Sequence, residues 1–380
     1  MKILFGYPYF PSTQYANTEQ LASDTINELR NAGFDIDPIC LTIDPPAYAK
    51  SYDEIEKLWI KGDKKLLNLY ENIYKRCENY DVFFNAAGIH LHRDFVKELP
   101  CFTVFGCNDD PEASERLSKP VADAYDMCLI GNIAEIETYK SWGVKKVSWL
   151  PLGLMHNFYN KTLTENDILK GKRDIDIFFM GDKTSPYRRN RLLALEKAFP
   201  NGSFWGKGWI KGYLPTGQEM HFLTNTQLGI NIHNSTGPVN LRTFYLPANG
   251  VLQLCDNKNN LGKIFELDKE VIGFDSIEEC IEKCHYYLHH KEEQRSIALS
   301  GWKRVLKDYT YPNIFKNYFY IPVKEALLQK KQRQHMHPNE IFSTRNRIRA
   351  AFKKKIIKKI IKIIFKKISN LLHLNIQVNQ

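Results

Sequence analysis

The chain has 380 residues, 43% of them apolar and 25% charged, which is enough for two globular domains of ordinary size. It contains no run of eighteen apolar residues, so a membrane-spanning helix is not expected. The first residues, MKILFGYPYFPS, are too aromatic for a secretory signal and predict a strand instead. The eight cysteines are scattered and form no CxxC pair, which favours a reduced cytosolic protein over a disulfide framework or a zinc site.

The net charge of +10 is concentrated at one end of the chain. Residues 345–380 contain eleven Lys and Arg and no Asp or Glu, so the remainder is close to neutral. The basic character therefore belongs to a C-terminal tail and needs a separate explanation there.

The N-terminal half alternates apolar strands with amphipathic helices. Its predicted strands are residues 2–7, 34–41, 81–86, 101–105, 127–130 and 147–150. Helices are predicted over about 17–31 and, in one or two pieces, over 53–79. This order predicts a mostly parallel, doubly wound sheet, followed by an irregular linker over 154–173.

The same rhythm restarts after that linker. Strands are predicted at 175–181, 203–206, 228–232, 251–255 and 270–274, with helices at about 187–198, 217–225, 276–288 and 291–307. Two α/β lobes with a cleft between them are therefore expected. Ligands of such sheets bind at the carboxyl ends of the strands.

The segment from residue 228 to residue 256 carries the clearest chemical signal. It predicts a strand, a turn, a short helix that begins near Pro238 and ends at Gly250, and another strand. Asn240 and Arg242 fall in the first turn of that helix. Free N–H groups beside an arginine suit a diphosphate, which indicates a nucleotide-linked substrate.

Several pieces of the C-terminal half resemble the GT-B glycosyltransferases, in particular their spore-maturation glycosyltransferase-like branch. The pieces, in order over about 174–315, are DIDIFFMG with a following Tyr-Arg, WGKGW at 205–209, NIH at 231–233, NLRTF at 240–244, and FE at 265–266. The N-terminal half matches more weakly, through NDDP at 108–111 and WLPLG at 149–153. The resemblance implies a Rossmann-like acceptor lobe over 1–153 and a nucleotide-sugar lobe over 174–325.

The resemblance also assigns roles to residues at strand ends. Arg242 is expected to hold the donor diphosphate, with further donor contacts expected from a set of loop residues: Gly6, Lys183, Arg188, Gly206, Lys207, Asn240, Tyr245 and Glu266. Asp109 and Asp110 are candidates for the base that activates the acceptor, with His90 and His92 as rivals to them. A structural role, as a helix cap, a turn residue or part of a solvated loop, stays open for each of them.

One position departs from the family pattern. Where the family usually has a glutamate that holds the nucleotide ribose, this chain has Tyr245. Either Tyr245 or Glu266 takes over that role, or the fold has lost its activity and serves as a binding or scaffold protein.

Metal chemistry is not expected. Asp174 and Asp176 form a DxD motif at a strand start, with no further predicted metal ligand beside them. The spacing of Cys280, Cys284 and His285 fits a half-buried helix face better than a zinc site. GT-B enzymes generally use protein groups for charge compensation, so no cofactor is expected besides the nucleotide-sugar substrate. The chain also contains neither GxGxxG nor GxxxxGK[ST].

The basic tail predicts a membrane-interface helix over 344–374, after a linker at 326–343. Apolar residues recur every four positions from Ile348 to Leu372, and lysines occupy the other side. A nucleic-acid tail, a partner helix and a disordered end are the alternatives, and the dense isoleucine disfavours nucleic acid. The combined prediction is a cytoplasmic enzyme, peripheral to the inner face of the membrane, that glycosylates a surface-polysaccharide or lipid-linked acceptor.

Overall fold

Two α/β lobes, each built on one parallel sheet, make up the computed structural model. It describes residues 1–10, 18–45, 50–86, 91–154, 158–215, 217–234, 236–237, 240–329, 357 and 360–364. Among these residues, no helix combines the length and the apolar character that crossing a bilayer requires. The predicted fold of two doubly wound lobes is confirmed.

The N-terminal lobe has a six-stranded sheet in the order β2-β1-β3-β4-β5-β6, with every neighbouring pair parallel. Its strands are β1 (Lys2–Tyr7), β2 (Asp35–Cys40), β3 (Val82–Asn85), β4 (Phe102–Cys107), β5 (Met127–Ile130) and β6 (Val147–Trp149). Its helices are α1 (Thr18–Asn31), α2 (Tyr52–Lys61), α3 (Lys64–Cys77), α4 (Arg93–Val96) and α5 (Ile136–Ser141). The central strands β3, β4 and β5 are fully buried because helices cover both faces of the sheet.

The C-terminal lobe has a five-stranded parallel sheet in the order β11-β10-β9-β7-β8. Its strands are β7 (Ile175–Met180), β8 (Ser203–Trp205), β9 (Thr226–Asn231), β10 (Leu252–Cys255) and β11 (Ile272–Gly273). The helices of this half are α6 (Glu165–Lys170), α7 (Arg189–Ala198), α8 (Glu219–Asn225), α9 (Arg242–Ala248), α10 (Lys258–Leu261), α11 (Ile277–His289) and α12 (Lys291–Asp308). Gly250 ends the helical turn after α9 in the left-handed region, at φ 65°, as its position in the sequence predicts.

The chain crosses between the lobes twice. A bridge joins Leu154 on the outward crossing to Thr310 on the return, just before α13 (Tyr311–Ile314), a π-helical turn (Phe315–Tyr320) and α14 (Ile321–Leu328). Phe315 and Phe319 are buried in the N-terminal core with the residues of β1, β3 and α1. The boundary predicted at residue 325 therefore falls inside a helix that packs on the other lobe, because its apolar face completes the N-terminal core.

The segment predicted as an irregular linker, 154–173, is more ordered than expected. A Thr164–Asp167 capping box starts α6, and Ile168 is buried in the C-terminal core. Arg173 is also buried, and its guanidinium donates to the carbonyls of Leu223, Thr226 and Asn249. Of the predicted 344–374 helix, only residues 357 and 360–364 are described, and these are helical and exposed; the rest lies outside the described residues.

Candidate functional site

Three arginines gather where β7, β9 and β10 end, and we refer to Arg188, Arg191 and Arg242 as the arginine cluster. The carbonyl of Ile232, just after β9, accepts hydrogen bonds from both Arg188 (3.1 Å) and Arg242 (3.3 Å). Gly181 leaves room for this convergence, because a Cβ there would lie 2.9 Å from Arg242 Nη1 and 3.2 Å from Arg188 Nη2. The carboxyl edge of this sheet is therefore strongly cationic.

Arg242 begins α9, four residues later than the predicted helix start near Pro238, which lies outside the described residues. Its guanidinium turns into the lobe, donating to the Met180 carbonyl (2.7 Å) and to Asn231 Oδ1 (3.1 Å). Burial lowers its pKa, opposed by the nearby Tyr245 hydroxyl. Arg242 thus braces the ends of β7 and β9 and contributes positive charge at this edge. The direct contact to diphosphate stays a prediction.

Arg188 is buried, more deeply than the half-buried Arg242. Its Nε donates to the Asp182 carbonyl at 2.8 Å, and its side chain packs over the ring of Phe179. Burial, and next the charge of Arg242, lower the pKa of Arg188 to about 10. A guanidinium with that pKa stays charged at neutral pH, so the cluster keeps its positive potential.

Arg191 is the member of the cluster that lines a neighbouring pocket, and the sequence reasoning missed it. Its Nη1 lies 2.9 Å from Asp256 Oδ2, while Asp256 Oδ1 lies 2.6 Å from Nδ1 of the buried His233. Burial lowers the pKa of His233, although the Asp256 carboxylate opposes the shift. His233 and Asp256 each follow a buried strand, β9 and β10 respectively, and that position was the available signal for both.

His233, Cys255 and Asp256 bring three potential metal ligands within 4.8 Å of one another. The arginine cluster surrounds them, and Asp256 is already engaged by His233 and Arg191. A cation would meet three guanidinium charges here, so this donor set does not fit a resident metal ion.

A polar pocket of about 320 Å³ opens beside Arg191 at the ends of β10 and β11. Its lining consists of side chains that can donate or accept hydrogen bonds, with two aromatic rings: Tyr187, Arg191, Thr236, Asp256, Asn257, Lys258, Asn259, Asn260, Phe274 and Asp275. Lys258 is held by Asp275 and Glu279 at 2.9 and 3.1 Å. The pocket therefore combines an aromatic wall, amide groups and a partly available arginine.

Three other residues predicted to bind the donor lie on the neighbouring loops of β7 and β8. Lys183 pairs with Glu196 and packs over Trp209, so its charge is used within the lobe. Gly206 has a φ of 123° and lies against Gly181. A Cβ at position 206 would lie only 2.4 Å from the Gly181 carbonyl oxygen, so a side chain does not fit there. Lys207 is exposed and holds the loop through its carbonyl, which accepts from the Lys183 N–H at 2.9 Å.

The remaining predicted donor residues in this lobe have mainly structural contacts. Asn240 donates to Asn231 Oδ1 at 2.8 Å and accepts from the Thr243 N–H, which fixes the turn before α9. Tyr245 is buried and stacks on Phe158, with ring centroids 5.9 Å apart. Glu266 is exposed, pairs with Lys269 and is not among the residues that line the polar pocket.

In the N-terminal lobe, the two neighbouring aspartates after β4 differ in environment. Asp110 is buried, and both its oxygens accept hydrogen bonds, from the hydroxyls of Ser114, Ser118 and Tyr139. Asp109 is exposed on one side, and partial burial followed by the charge of Asp110 raises its pKa. Asp109 is thus the better placed of the two to accept a proton.

The other candidates of this lobe are His90, His92 and Gly6. His90 lies outside the described residues, so its position stays untested. His92 is buried, caps α4 by accepting from the Asp94 N–H, and pairs with Glu56. Gly6 packs against Leu41, where a Cβ would lie 2.8 Å from a methyl group, so its missing side chain serves sheet packing.

Comparison with known protein families finds a match to part of the chain. Residues 188–319, which contain the whole arginine cluster, match the family model described as glycosyl transferase-like. A comparison with curated protein sequences found no match. The spore-maturation branch suggested by the sequence motifs stays a prediction.

Solved structures resemble nearly the whole chain. Sucrose-phosphate synthase from Thermosynechococcus elongatus has a TM-score of 0.59 at 11% identity, covering 86% of this chain and 99% of its own. A glycosyltransferase from Rickettsia africae has a TM-score of 0.59 at 12% identity, covering 87% and 99%. HepE from Anabaena, solved in complex with UDP-glucose, has a TM-score of 0.56 at 11% identity, covering 85% and 100%. The chain therefore has the GT-B fold, and residues 188–319 of its C-terminal lobe are similar to the glycosyl transferase-like family.

Proposed function

We propose that the protein transfers a glycosyl group from a nucleotide-sugar donor, bound at the polar pocket, to a surface-polysaccharide or lipid-linked acceptor at a membrane face. The observation that carries the donor site is the arginine cluster beside this pocket. Arg191 lines the pocket, while the buried Arg188 and the half-buried Arg242 add positive charge beside it. A diphosphate carries the opposite charge, and the pocket's aromatic and amide groups suit a nucleoside.

The chemistry follows from the charge that develops during transfer. As the bond between the sugar and the diphosphate breaks, negative charge grows on the leaving phosphate oxygens. Arg191 is bound to Asp256 at 2.9 Å and can exchange this partner for phosphate. We infer that the guanidinium groups replace a metal ion in this role, so a chelator such as EDTA is expected to leave turnover unchanged.

The acceptor hydroxyl needs a base in an inverting reaction, and we assign that role to Asp109. Its raised pKa makes its carboxylate more basic than an ordinary aspartate, while one exposed side leaves it accessible. Asp110, by contrast, is occupied by three hydroxyl groups. His90 remains an alternative candidate for the same role.

Donor binding is tested by Arg191→Gln, with Arg189→Gln as the control on the same helix because Arg189 is exposed. The loss of one charge-assisted hydrogen bond, worth about 1.5–3 kcal/mol, should weaken UDP binding by roughly 10- to 150-fold. Calorimetry with UDP and UDP-glucose measures the affinity, and the thermal midpoint without ligand checks the fold. Equal affinities for the two variants would contradict the assignment.

The membrane part of the proposal rests on the basic tail. Its described isoleucines, 357, 360, 361, 363 and 364, are exposed, as a face that inserts into a lipid interface requires. The tail lysines would add about 1 kcal/mol each near an anionic surface. We propose a peripheral location at the cytoplasmic face, where lipid-linked acceptors are presented.

The tail is tested by comparing the full chain with a variant that lacks 345–380. The full chain should cosediment with vesicles containing phosphatidylglycerol and much less with phosphatidylcholine vesicles, and the truncated variant with neither. Binding of the truncated variant to anionic vesicles would refute the anchor. Strong binding of the full chain to DNA, with none to vesicles, would favour the nucleic-acid alternative.

A catalytically inactive scaffold is the second candidate, and Tyr245 is the observation that favours it. Tyr245 replaces the family's usual glutamate and lies buried against Phe158 and Arg242. Hydrolysis of a nucleotide sugar by the full chain would exclude the inactive alternative. Nucleotide binding with no hydrolysis or transfer for any sugar tested would support it.

A further inference from the structure

An apolar cavity of about 260 Å³ lies in the N-terminal lobe, and nothing in the donor site uses it. One wall is the sheet face near the ends of β1, β3 and β5, with Phe84 and Leu129. A second wall is α1, through Leu21 and Thr25, and Phe315 closes it from the returning helical segment. We call this space the apolar cavity.

The cavity reaches the edge where the candidate base lies. Cys107, the last residue of β4, and the following Asn108 both line it, directly before Asp109 in the chain. Burial raises the pKa of the Cys107 thiol to about 12, so this side chain is uncharged at neutral pH. A molecule in the cavity would thus meet mainly apolar side chains, and Asn108 is the polar residue next to the candidate base.

We propose that the apolar cavity binds the hydrocarbon part of the acceptor, next to the hydroxyl that receives the sugar. This inference rests on the proposed glycosyl transfer and names the class of its acceptor, an amphiphile with an aliphatic chain. The lining residues offer few hydrogen-bond partners, so a sugar placed there would lose its bonds to water without replacement. An aliphatic chain has no hydrogen bonds to water to lose, and the burial of its apolar surface favours binding.

The position of the cavity relative to the chain crossings supports this occupant. Leu150, Pro151 and Leu152 line it on the outward crossing, and Tyr311 and Ile314 line it on the return. The apolar cavity is therefore lined by both segments that connect the two lobes. The lipid surface proposed for the basic tail is a source of amphiphiles of this kind, which connects the two features of the chain.

The test fills the cavity from α1. Thr25→Phe places a ring in it, Thr25→Leu a smaller group, and Ser23→Phe puts the same ring on the exposed side of the same helix as a control. The full chain is titrated with n-decyl β-D-glucopyranoside below its micelle-forming concentration and with methyl β-D-glucopyranoside. Calorimetry and the shift of the thermal midpoint measure binding.

The decyl glucoside should bind the wild type and Ser23→Phe alike and raise the thermal midpoint, whereas the methyl glucoside should bind at least tenfold more weakly to both. Thr25→Phe should weaken decyl binding at least tenfold, and Thr25→Leu by less. Unchanged decyl affinity in Thr25→Phe, or equal affinity for the two glucosides, would overturn the proposal. Decyl binding that appears only after deletion of 345–380 would show that the tail itself occupies the cavity and would also overturn it.

Donor binding keeps this test separate from the proposed function. UDP affinity is measured for the same variants, and it should be unchanged because the polar pocket lies in the other lobe. A variant that binds neither UDP nor the decyl glucoside has lost its fold. In that case the decyl glucoside affinity of Thr25→Leu tests the cavity instead. If the wild type binds the decyl glucoside but no nucleoside diphosphate or nucleotide sugar, the transferase is refuted and the lipid site remains.

Discussion

The carboxyl edges of the two sheets have similar backbone plans and opposite side-chain chemistry. In the C-terminal lobe, the ends of β7, β9 and β10 collect three arginines, a histidine and an aspartate around a polar pocket. In the N-terminal lobe, the corresponding edge has an aspartate above a cavity of aliphatic and aromatic side chains. Parallel strands only place loops at one edge, and the residues in those loops decide which ligand each edge can hold.

A second contrast lies within each edge. Asp110 and Arg242 have the residue types expected of a functional site, yet their polar atoms are used by neighbours inside the lobe. Asp109 is exposed and Arg191 lines the polar pocket, so these two are the outward members of the comparison. The comparison predicts that the inward residues act mainly on stability and the outward ones mainly on function.

The largest effect is expected from Asp109→Asn. Removing the base should lower kcat by roughly 100- to 10,000-fold with little change in unfolding. Because the pKa of Asp109 is raised, activity in the wild type should fall on the acidic side at a pH above an ordinary aspartate's range, and the variant should lack this limb. A pH profile of transfer, with urea unfolding as the fold control, measures both.

Asp110→Ala is the matched comparison for Asp109. It leaves the hydroxyls of Ser114, Ser118 and Tyr139 without their common acceptor, so the free energy of unfolding should fall by about 2–4 kcal/mol. If Asp110→Ala unfolds like the wild type while Asp109→Asn retains full turnover, the roles of the two aspartates are reversed.

Arg242→Ala should act next most strongly, and on stability as well as turnover. It deprives the Met180 carbonyl and Asn231 of a charged donor, which should cost about 2–4 kcal/mol in urea unfolding. Arg189→Ala, at an exposed position, should change it by less than about 0.5 kcal/mol. If Arg242→Ala has wild-type stability but no longer binds UDP, the result would support a direct contact between Arg242 and the diphosphate.

The smallest effect concerns His233. Burial lowers its pKa in the folded state, so below about pH 6.5 the unfolded chain binds more protons than the folded one. Stability should therefore decline as pH falls from about 6.5 towards that lowered pKa. His233→Gln should reduce the stability difference between pH 7.5 and 5.5 by about 1 kcal/mol, measured by urea unfolding at each pH. An unchanged difference would mean that the pKa of His233 is not lowered in the folded protein.

The sequence by itself determined the lobes, most of the strands and helices, and the edge at which the site lies. Strand and helix periodicity is local and follows from which faces must be buried, so β7 and α9 could be placed within a few residues. The order of the motifs around Arg242 also indicated the GT-B fold. The helix α6 inside the predicted linker was missed because its single buried residue, Ile168, gives no periodicity.

Only the tertiary structure decided which way each polar side chain points. Arg242 and Arg191 both follow strands of one sheet, but only the packing of β7 against β9 supplies the carbonyls that draw Arg242 inward. The apolar cavity is formed by the sheet, α1 and a helical segment some three hundred residues away from it in the chain, a contact that no local pattern predicts. Side-chain direction and cavity shape depend on long-range packing, and that is why the fold could be predicted more fully than the site.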